Sequence, residues 1–438
     1  MLAFFILVER LLGSAIFAVI IILIFAIALT YGTFMESYHG TEYANRLIYK
    51  SSPFFALQFL MFLSIFIATL MRLPFKKHLA GFYVLHLGLL ILFVGSFITF
   101  TSGLDGSMPL EPNLPQRTIT LNEDEFEIRL LDKGIKLVSE LPFHAGEVVM
   151  NHKLKTEHKD IPEIEIIKFL PFANNVIQWQ ESSAEFLGRS SAQYQLFNDR
   201  FGETLTLSTH PFSDFPATTS LGLLNVHYMP KGLAPCFKQN PKSALIIWNV
   251  FEEKCFTPEE KKIKISKTKK GQRHLQVGYQ KIQYNFFPEL APMPVDEKLQ
   301  VLESSPLRIF SLKIFETKPH LFTFGRSIAY YDKNQEEWIS ASFDDESILE
   351  LPWMGFQLRL MNFHEERYPV QIPQYVVPIQ DNGKIVLGSD KAVLFKVAGK
   401  EHWIKQSDGP MQFMYEGKKI GFELKKKQMH LPYEINLD

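Results

Sequence analysis

Three long apolar spans in the first hundred residues constrain this chain more than any other feature. They cover residues 11–30, 53–71 and 79–100. A helix needs about 20 consecutive apolar residues to cross a bilayer, and each span reaches or nearly reaches that length. The first span is too long for a typical signal-peptide core, so we expect it to be retained. The pattern predicts three transmembrane helices in a membrane unit of residues 1–100.

Charged residues in the short loops predict the orientation of these helices. Arg72, Lys76 and Lys77 lie between the second and third spans, and Arg10 precedes the first. Positively charged loops stay on the cytoplasmic side. We therefore expect a multi-pass protein of the inner (cytoplasmic) membrane with a cytoplasmic N-terminus. The loop between the first two spans, and everything after the third, would lie in the periplasm or an equivalent extracytoplasmic space.

The remaining residues, 101–438, carry alternating strand patterns separated by turn residues such as Asp-Asn-Gly at 381–383. The clearest strand runs are residues 118–121, 126–131, 163–169, 204–209, 243–250, 263–268, 356–361 and 392–397. A weak repeat of Leu-Pro-opened segments, at 351–358 and 431–437, favours two lobes. The predicted fold is therefore three membrane helices followed by a large β-rich, sandwich-like extracytoplasmic domain. The net charge of -1 gives no global attraction to nucleic acid.

The large domain shows no familiar catalytic signature. The sequence contains no nucleophile elbow, P-loop, HExxH or Rossmann glycine pattern. Cys236 and Cys255 match neither a CxxC pair nor a zinc knuckle, although they could form one disulfide in an oxidising compartment. The basic segment 259–274 alternates Lys with Ile, which is typical of a protected edge strand. Its alternative role is a patch for anionic lipid headgroups or haem propionates.

His86 is the only ionisable side chain of the third span. An ionisable residue inside a membrane is a functional hypothesis by default, and imidazole is a good axial ligand for haem iron. The other interpretation is a neutral histidine hydrogen-bonded to a neighbouring helix, and the residues leave both open. Since no other histidine lies in a span, a second iron ligand would come from another chain. Glycines at seven-residue steps, Gly81 to Gly95, predict a separate groove for a neighbouring helix.

The loop between the first two spans is rich in aromatic and polar residues. Thr41 is placed to cap a short helix running to about Tyr49. The apolar side of that helix is expected to carry Tyr43, Leu47 and Ile48. One interpretation is an interfacial helix with tyrosines at headgroup level. The other is a lip over a membrane-level pocket, with His39 as a ligand or hydrogen-bond donor.

Six short stretches follow one another in the N-terminal part. They are TyrGlyThrPheMetGluSer at 31–37, GlyThrGlu at 40–42, ArgLeuIleTyrLysSer at 46–51, ArgLeuProPhe at 72–75, HisLeuGlyLeuLeuIleLeuPheValGlySer at 86–96 and GlyLeuAspGlySer at 103–107. Together they resemble the ResB (CcsB) family of system II cytochrome c biogenesis proteins. Over the large domain the resemblance is looser and depends on the Leu-Pro segments and the Tyr-Pro and Pro-X-Tyr pairs at 367–375.

The resemblance implies a subunit of a haem exporter and cytochrome c synthase. With a CcsA-type partner it would move haem b, as a transported substrate, across the membrane and support its attachment to the CxxCH motif of apocytochrome c. His86 matches the family's third-span haem ligand. The chain would be one component of a haem lyase complex and not catalytic alone. Other implied partners are a thiol-reducing protein and membrane lipid.

One departure from the family concerns the C-terminus. Family members usually cross the membrane a fourth time after the β domain, and this sequence has no such span before Asp438. The resemblance therefore implies an extracytoplasmic domain that is incomplete at its C-terminus. The alternative function is a membrane-anchored scaffold or receptor that binds a protein partner without haem.

Overall fold

The structure, a computed structural model, describes most of the chain. The described ranges are residues 9–131, 133–154, 162–186, 188–222, 224–239, 245–249, 254–256, 263–267, 273–279, 282–286, 307–311, 319–344 and 347–437. They fall into two compact units. The membrane-linked unit comprises Met1–Val176 and Ile372–Asp438, and the inserted unit comprises Ile177–Gln371. Both boundaries between the units fall within strands, Ile164–Glu181 and Arg367–Tyr375.

Among the residues that the structure describes, three helices are long and apolar enough to cross a membrane, as the sequence predicts. The α-helices are α1 (Ala15–His39), α2 (Thr41–Ala44), α3 (Ser52–Leu70), α4 (Ala80–Ser102) and α5 (Ala234–Gln239). A π-helical turn, Asn45–Tyr49, follows α2, and short 3-10 turns cover Lys77–Leu79, Ala184–Phe186, Lys231–Leu233 and Gln406–Asp408.

Helix α1 runs nine residues beyond the predicted end at Thr30. The helix continues through Gly32 and its polar last turns and ends at Gly40, whose backbone φ is 87°. At its start, the Ser14 side chain accepts a hydrogen bond from the Phe17 backbone N–H, which caps the first turn. Ser51 caps α3 in the same way, and Pro53 occupies the first turn as expected.

The three long helices pack through small and aromatic side chains. Ser64 of α3 donates a 2.7 Å hydrogen bond to the Leu12 carbonyl just before α1. Between α3 and α4, Phe55 stacks on Phe100 with ring centroids 4.6 Å apart. Gly81 and Gly88 have open space where a side chain would be, so the predicted glycine groove is not filled by the described residues.

In the described residues the large domain is built mainly from antiparallel strands and includes a parallel pair. The strands of the N-terminal half are β1 (Gly106–Ser107), β2 (Gln116–Leu130), β3 (Ile135–Glu140), β4 (Val148–Leu154), β5 (Ile164–Glu181), β6 (Ser191–Asn198), β7 (Phe201–Ser208), β8 (Thr218–Ser220), β9 (Asn225–Tyr228), β10 (Leu245–Asn249), β11 (Lys254–Phe256), β12 (Ile263–Lys267), β13 (Arg273–Tyr279) and β14 (Ile282–Phe286). They are followed by β15 (Leu307–Ser311), β16 (His320–Thr323), β17 (Ser327–Asp332), β18 (Glu337–Ser342), β19 (Ile348–Glu350), β20 (Gln357–His364), β21 (Arg367–Tyr375), β22 (Ile379–Asp381), β23 (Lys384–Leu387), β24 (Asp390–Val397), β25 (Lys400–Lys405), β26 (Met411–Tyr415) and β27 (Lys418–Ile435). Every predicted strand run overlaps one of them.

The membrane-linked unit contains a sandwich of two sheets. One sheet has the order β1-β2-β27-β26 with β3 added to β2, and the other has the order β21-β5-β24-β25 with β4 added to β5. Apolar side chains of both sheets fill one core. At its centre the rings of Phe126, Phe395 and Phe422 lie 4.7–6.0 Å apart. The alternation of apolar and polar residues along these strands is what places the rings on the inner faces.

A short hairpin, β22–β23, projects from this unit. Asn382 and Gly383 form its two-residue turn with φ values of 49° and 75°. Two consecutive positive φ angles define the turn type that Asn-Gly favours, so the predicted turn is confirmed.

The inserted unit contains two larger sheets, with orders β19-β20-β6-β7 and β18-β17-β16-β9-β8. Side chains of both form its main core. Cys236 of α5 and Cys255 of β11 are joined by a disulfide with their Cα atoms 5.8 Å apart. In the described residues β12 lies at the edge of the sheet β12-β13-β14, as its Lys-Ile alternation predicts. The rest of the basic segment lies largely outside the described ranges.

The proposed Leu-Pro repeat is not a structural repeat. Residues 351–356 form a turn between β19 and β20, whereas residues 431–435 continue the long strand β27. The shared Leu-Pro dipeptide does not determine the conformation. In the first copy the Phe356 N–H donates to the Trp353 carbonyl and closes a turn, whereas the second copy lies in a strand that pairs with β2.

Candidate functional site

His86 lies seven residues into α4, about 10 Å from the start of the helix. Its side chain is half-buried. The Nδ1 atom is 2.9 Å from the carbonyl oxygen of Phe82, one turn earlier. A bond of this kind places the proton on Nδ1 and leaves the Nε2 lone pair available. Metal-binding histidines are usually oriented in this way, by donating the other ring N–H to a carbonyl or carboxylate.

An aromatic column holds the imidazole of His86. The Phe82 ring lies 3.7 Å from the imidazole centroid. The guanidinium of Arg72 makes a cation–π contact with the same Phe82 ring, 4.6 Å from its centroid. Tyr83 in turn donates a 2.6 Å hydrogen bond to the Arg72 carbonyl. The sequence predicted Arg72 to mark the cytoplasmic side and to belong to a ResB-like stretch, but it did not predict that the guanidinium lies on the same ring as His86.

His39 is the last residue of α1, at the opposite end of the helices from His86. Helix α3 separates the two ends by about 28 Å, since it has 19 residues. The Gly13 end of α1 is next to Met71, and the Gly32 end is next to Tyr49. The two histidines therefore belong to separate sites.

A small cavity adjoins His39. Its volume is about 150 Å³, and residues of α1, α2, β5, β23 and the approach to β24 line it. Ligand pockets of drug size span about 300–1,000 Å³, so the cavity is too small for a porphyrin. The His39 Nδ1 is 2.7 Å from the carbonyl oxygen of Pro378, and its ring lies 5.3 Å from that of Tyr43. These contacts join the end of α1 to the sandwich.

The segment after His39 is helical to Tyr49, as predicted, but two details were wrong. Thr41 is inside the helix and not its cap, and its hydroxyl donates to the Glu36 carboxylate at 2.8 Å. Leu47 is exposed, whereas Arg46 is buried in its place beside Tyr43 and Ile48. The π-helical turn at Asn45–Tyr49 shifts the register by one residue, which a regular helical period does not anticipate.

Arg46 belongs to a buried ionic cluster that the sequence analysis missed. The cluster, called here the ionic cluster, contains Glu42, Arg46, Asp124 and Lys391. Lys391 donates to Glu42 at 2.6 Å and to Asp124 at 2.7 Å, and Arg46 contacts both carboxylates. Arg46 also donates through Nη1 to the backbone carbonyls of Pro142 and His144.

The ionic cluster ties the segment between α1 and α3 to the sandwich of the same unit. Arg46, Asp124 and Lys391 are almost completely buried. Burial alone would raise the pKa of Glu42, but the charges of Lys391 and Arg46 outweigh it and lower that pKa. The sequence could have indicated the Glu42–Arg46 ion pair, because the two residues are four positions apart on a helix. Their partners at 124 and 391 are too distant in sequence for any pattern to indicate.

Among the described residues, no group of three or more His, Cys, Asp or Glu side chains could hold a metal ion. No protein-family model matches this chain, and no curated protein is significantly similar to it. The fold itself defines the class: a membrane-anchored protein with three apolar helices and a large β-rich domain.

Proposed function

We propose that this chain is a ResB-like subunit of a system II cytochrome c synthase. With a CcsA-type partner it carries haem b across the inner membrane as a transported substrate and supports attachment to the CxxCH motif of apocytochrome c. The observation that carries the proposal is His86, which lies in an apolar helix within the longest of the ResB-like stretches.

The geometry around His86 supports a ligand role. The Phe82 carbonyl orients the imidazole and holds a proton on Nδ1, so Nε2 carries the lone pair. Haem iron bound there would receive one axial ligand from this chain. The other histidines of the three candidate spans are His39, at the opposite end of α1, and His78, on the exposed turn before α4, so we expect the partner to supply the other ligand.

The disulfide supports an extracytoplasmic position for the large domain. Disulfides persist in oxidising compartments and are rare in the cytosol. Cys236 and Cys255 are the only cysteines of the chain and are joined to each other. The positive residues between α3 and α4 favour the same orientation. In this topology the domain is available to hold apocytochrome c or a thiol-reducing protein on the side where attachment occurs.

The test is an absorption spectrum of the chain purified in detergent after co-expression with its CcsA-type partner. We expect a reduced b-type spectrum that falls sharply in His86→Ala at equal protein yield. His78→Ala is the matched control, because His78 is an exposed histidine on the turn just before α4. It should retain the wild-type haem content.

His39→Ala should also retain haem, since its imidazole packs on Pro378 and Tyr43. Unchanged haem in His86→Ala would remove His86 from the mechanism. Absence of haem from every preparation, wild type included, would instead favour the membrane-anchored scaffold.

A further inference from the structure

We propose that the β22–β23 hairpin is a membrane-contacting element that inserts apolar side chains into the headgroup layer beside the end of α1. The partner is the bilayer surface itself. This inference depends on α1 crossing the membrane and is independent of any role in haem transport.

The first step is the depth of the end of α1. The helix has 25 residues and is about 37 Å long, which exceeds the hydrocarbon thickness of about 30 Å. Its last nine residues lie beyond the predicted end of the span at Thr30, so the final turns of α1 leave the hydrocarbon core and pass through the headgroup layer, which adds roughly 5–8 Å to each side.

The second step is the contact between the hairpin and that helix end. Gln380 donates to the Ser37 carbonyl at 3.4 Å, and His39 bonds the Pro378 carbonyl at 2.7 Å. Gly40 leaves no room for a side chain, because a Cβ there would come within 2.7 Å of the Ile385 side chain. The hairpin therefore lies beside the last turn of α1, at headgroup depth.

The third step is the exposed surface of the hairpin. Gln380 and Ile385 are half-buried on the side that meets the helix. In contrast, Ile379 is 47% exposed and Val386 is 62% exposed. Val377, just before the hairpin, is 42% exposed. Three branched apolar side chains on one small projection are costly in water and favourable at a lipid interface.

The last turns of α1, which the hairpin contacts, also expose apolar side chains. Phe34 and Tyr38 are both more than half exposed near the end of the helix. Aromatic side chains of this kind are typical of the membrane–water interface. Lys384 at the exposed turn can reach lipid phosphates, in the way that lysines near a membrane surface do. Continuity with the lipid-facing side of α1 is the reason for choosing the bilayer over a protein as the occupant.

The test uses the full chain in vesicles of phosphatidylcholine and phosphatidylglycerol. Val386→Cys provides a single free thiol, because both native cysteines are in the disulfide. That thiol is labelled with an environment-sensitive fluorophore, and lipids carrying a nitroxide near the headgroup act as quenchers. We expect blue-shifted emission that the lipids quench strongly.

Met414→Cys is the matched control, since Met414 is a similarly exposed residue, at 65%, on β26 of the same unit. Its label should emit as in water and escape lipid quenching. Equal quenching at both positions, or none at Val386, would overturn the proposal. Blue-shifted emission without lipid quenching would also overturn it, in favour of a protein contact. If Val386→Cys does not fold, Ile379→Cys provides the same test.

Discussion

At the scale of single residues, the ionic cluster of the membrane-linked unit holds buried charges that must remain paired. Asp124 accepts hydrogen bonds from both Arg46 and Lys391 and is itself buried. Removing one partner from a buried ion pair leaves a charge without compensation, which costs far more than losing an exposed pair. The cluster is therefore a sensitive point for the stability of this unit.

We expect Asp124→Asn to destabilise the membrane-linked unit by about 3–5 kcal/mol, because Arg46 and Lys391 would remain buried with only Glu42 as a carboxylate partner. Thermal unfolding of the protein in detergent measures the effect as a lower melting temperature. Glu434→Gln is the control, since Glu434 pairs with Arg117 at 2.8 Å while both side chains are at least half exposed. Equal melting temperatures for the two variants would contradict a structural role of the cluster.

The sequence indicates a functional residue only when its local surroundings are unusual for its type. His86 stands out in the sequence because a titratable group in an apolar span is rare. Arg46, Asp124 and Lys391 look like ordinary charged residues, and only the fold brings positions 46, 124 and 391 together. The π-helical turn that buries Arg46 and exposes Leu47 is equally invisible to a periodic pattern.

At the scale of elements, the parallel pair β9–β16 carries two histidines in contact. His227 Nε2 and His320 Nδ1 are 2.8 Å apart, and the imidazole of His227 stacks on Phe322. Burial, and then the neighbouring His320, lower the pKa of His227 to about 3. Burial lowers the pKa of His320 to about 4. Both side chains are therefore neutral in the folded protein at pH 7.

We expect this strand pair to lose stability as the pH falls below 6.5. The unfolded chain then binds protons that the folded chain does not, so the stabilisation present at pH 7 is lost progressively towards the folded pKa values of about 3 and 4. At pH 5 the loss for His227 is on the order of 2 kcal/mol. Hydrogen exchange in β9 and β16, corrected for the intrinsic rate, measures it.

Strand β2 serves as the internal control for that experiment. Burial alone would raise the pKa of Glu127, but hydrogen bonds from Lys136, Lys425 and Arg129 lower it to about 2, so its charge does not change between pH 7 and 5. Protection in β2 should therefore stay nearly constant. Equal losses of protection in β2 and β9 would indicate general acid destabilisation and would contradict the assignment to the histidine pair.

Elements as a class were well predicted from local patterns. Alternating runs became strands, and Asp-Asn-Gly became a two-residue hairpin turn because Asn382 and Gly383 tolerate positive φ. The Leu-Pro similarity failed because the conformation of each copy depends on its tertiary partner.

At the scale of the whole molecule, the chain makes one unit from two distant segments. Residues up to 176 and from 372 onward build the membrane-linked unit, and the residues between them form the inserted unit. The sequence predicts a boundary near residue 100, where apolar spans give way to strands. Strands β2 and β27 pair within the sandwich although Arg129 and Glu423, which form an ion pair across them, are 294 residues apart, so no local pattern can indicate this pairing.

The proposed topology predicts opposite accessibility for two exposed positions. In intact cells, Met414→Cys should react with a membrane-impermeant thiol reagent added from outside the inner membrane, after permeabilisation of any outer membrane. Leu73→Cys, in the loop between α3 and α4, should react only once the inner membrane is opened. Both positions are exposed in the structure, so folding does not hide either thiol. Labelling in the reverse order would overturn the orientation.

The sequence by itself determined the three apolar helices, the β-rich class of the large domain, the hairpin turn and the position of His86 deep within an apolar stretch. Each of these depends on the length of an apolar run, on residue alternation or on a local backbone preference. Neighbouring residues in the sequence set these properties without tertiary contacts. Only the tertiary structure decided the ionic cluster, the packing of His39 on Pro378, the His227–His320 contact and the two-segment unit. These features depend on which distant side chains meet in a low-dielectric interior, and that choice is made by the packing of whole sheets.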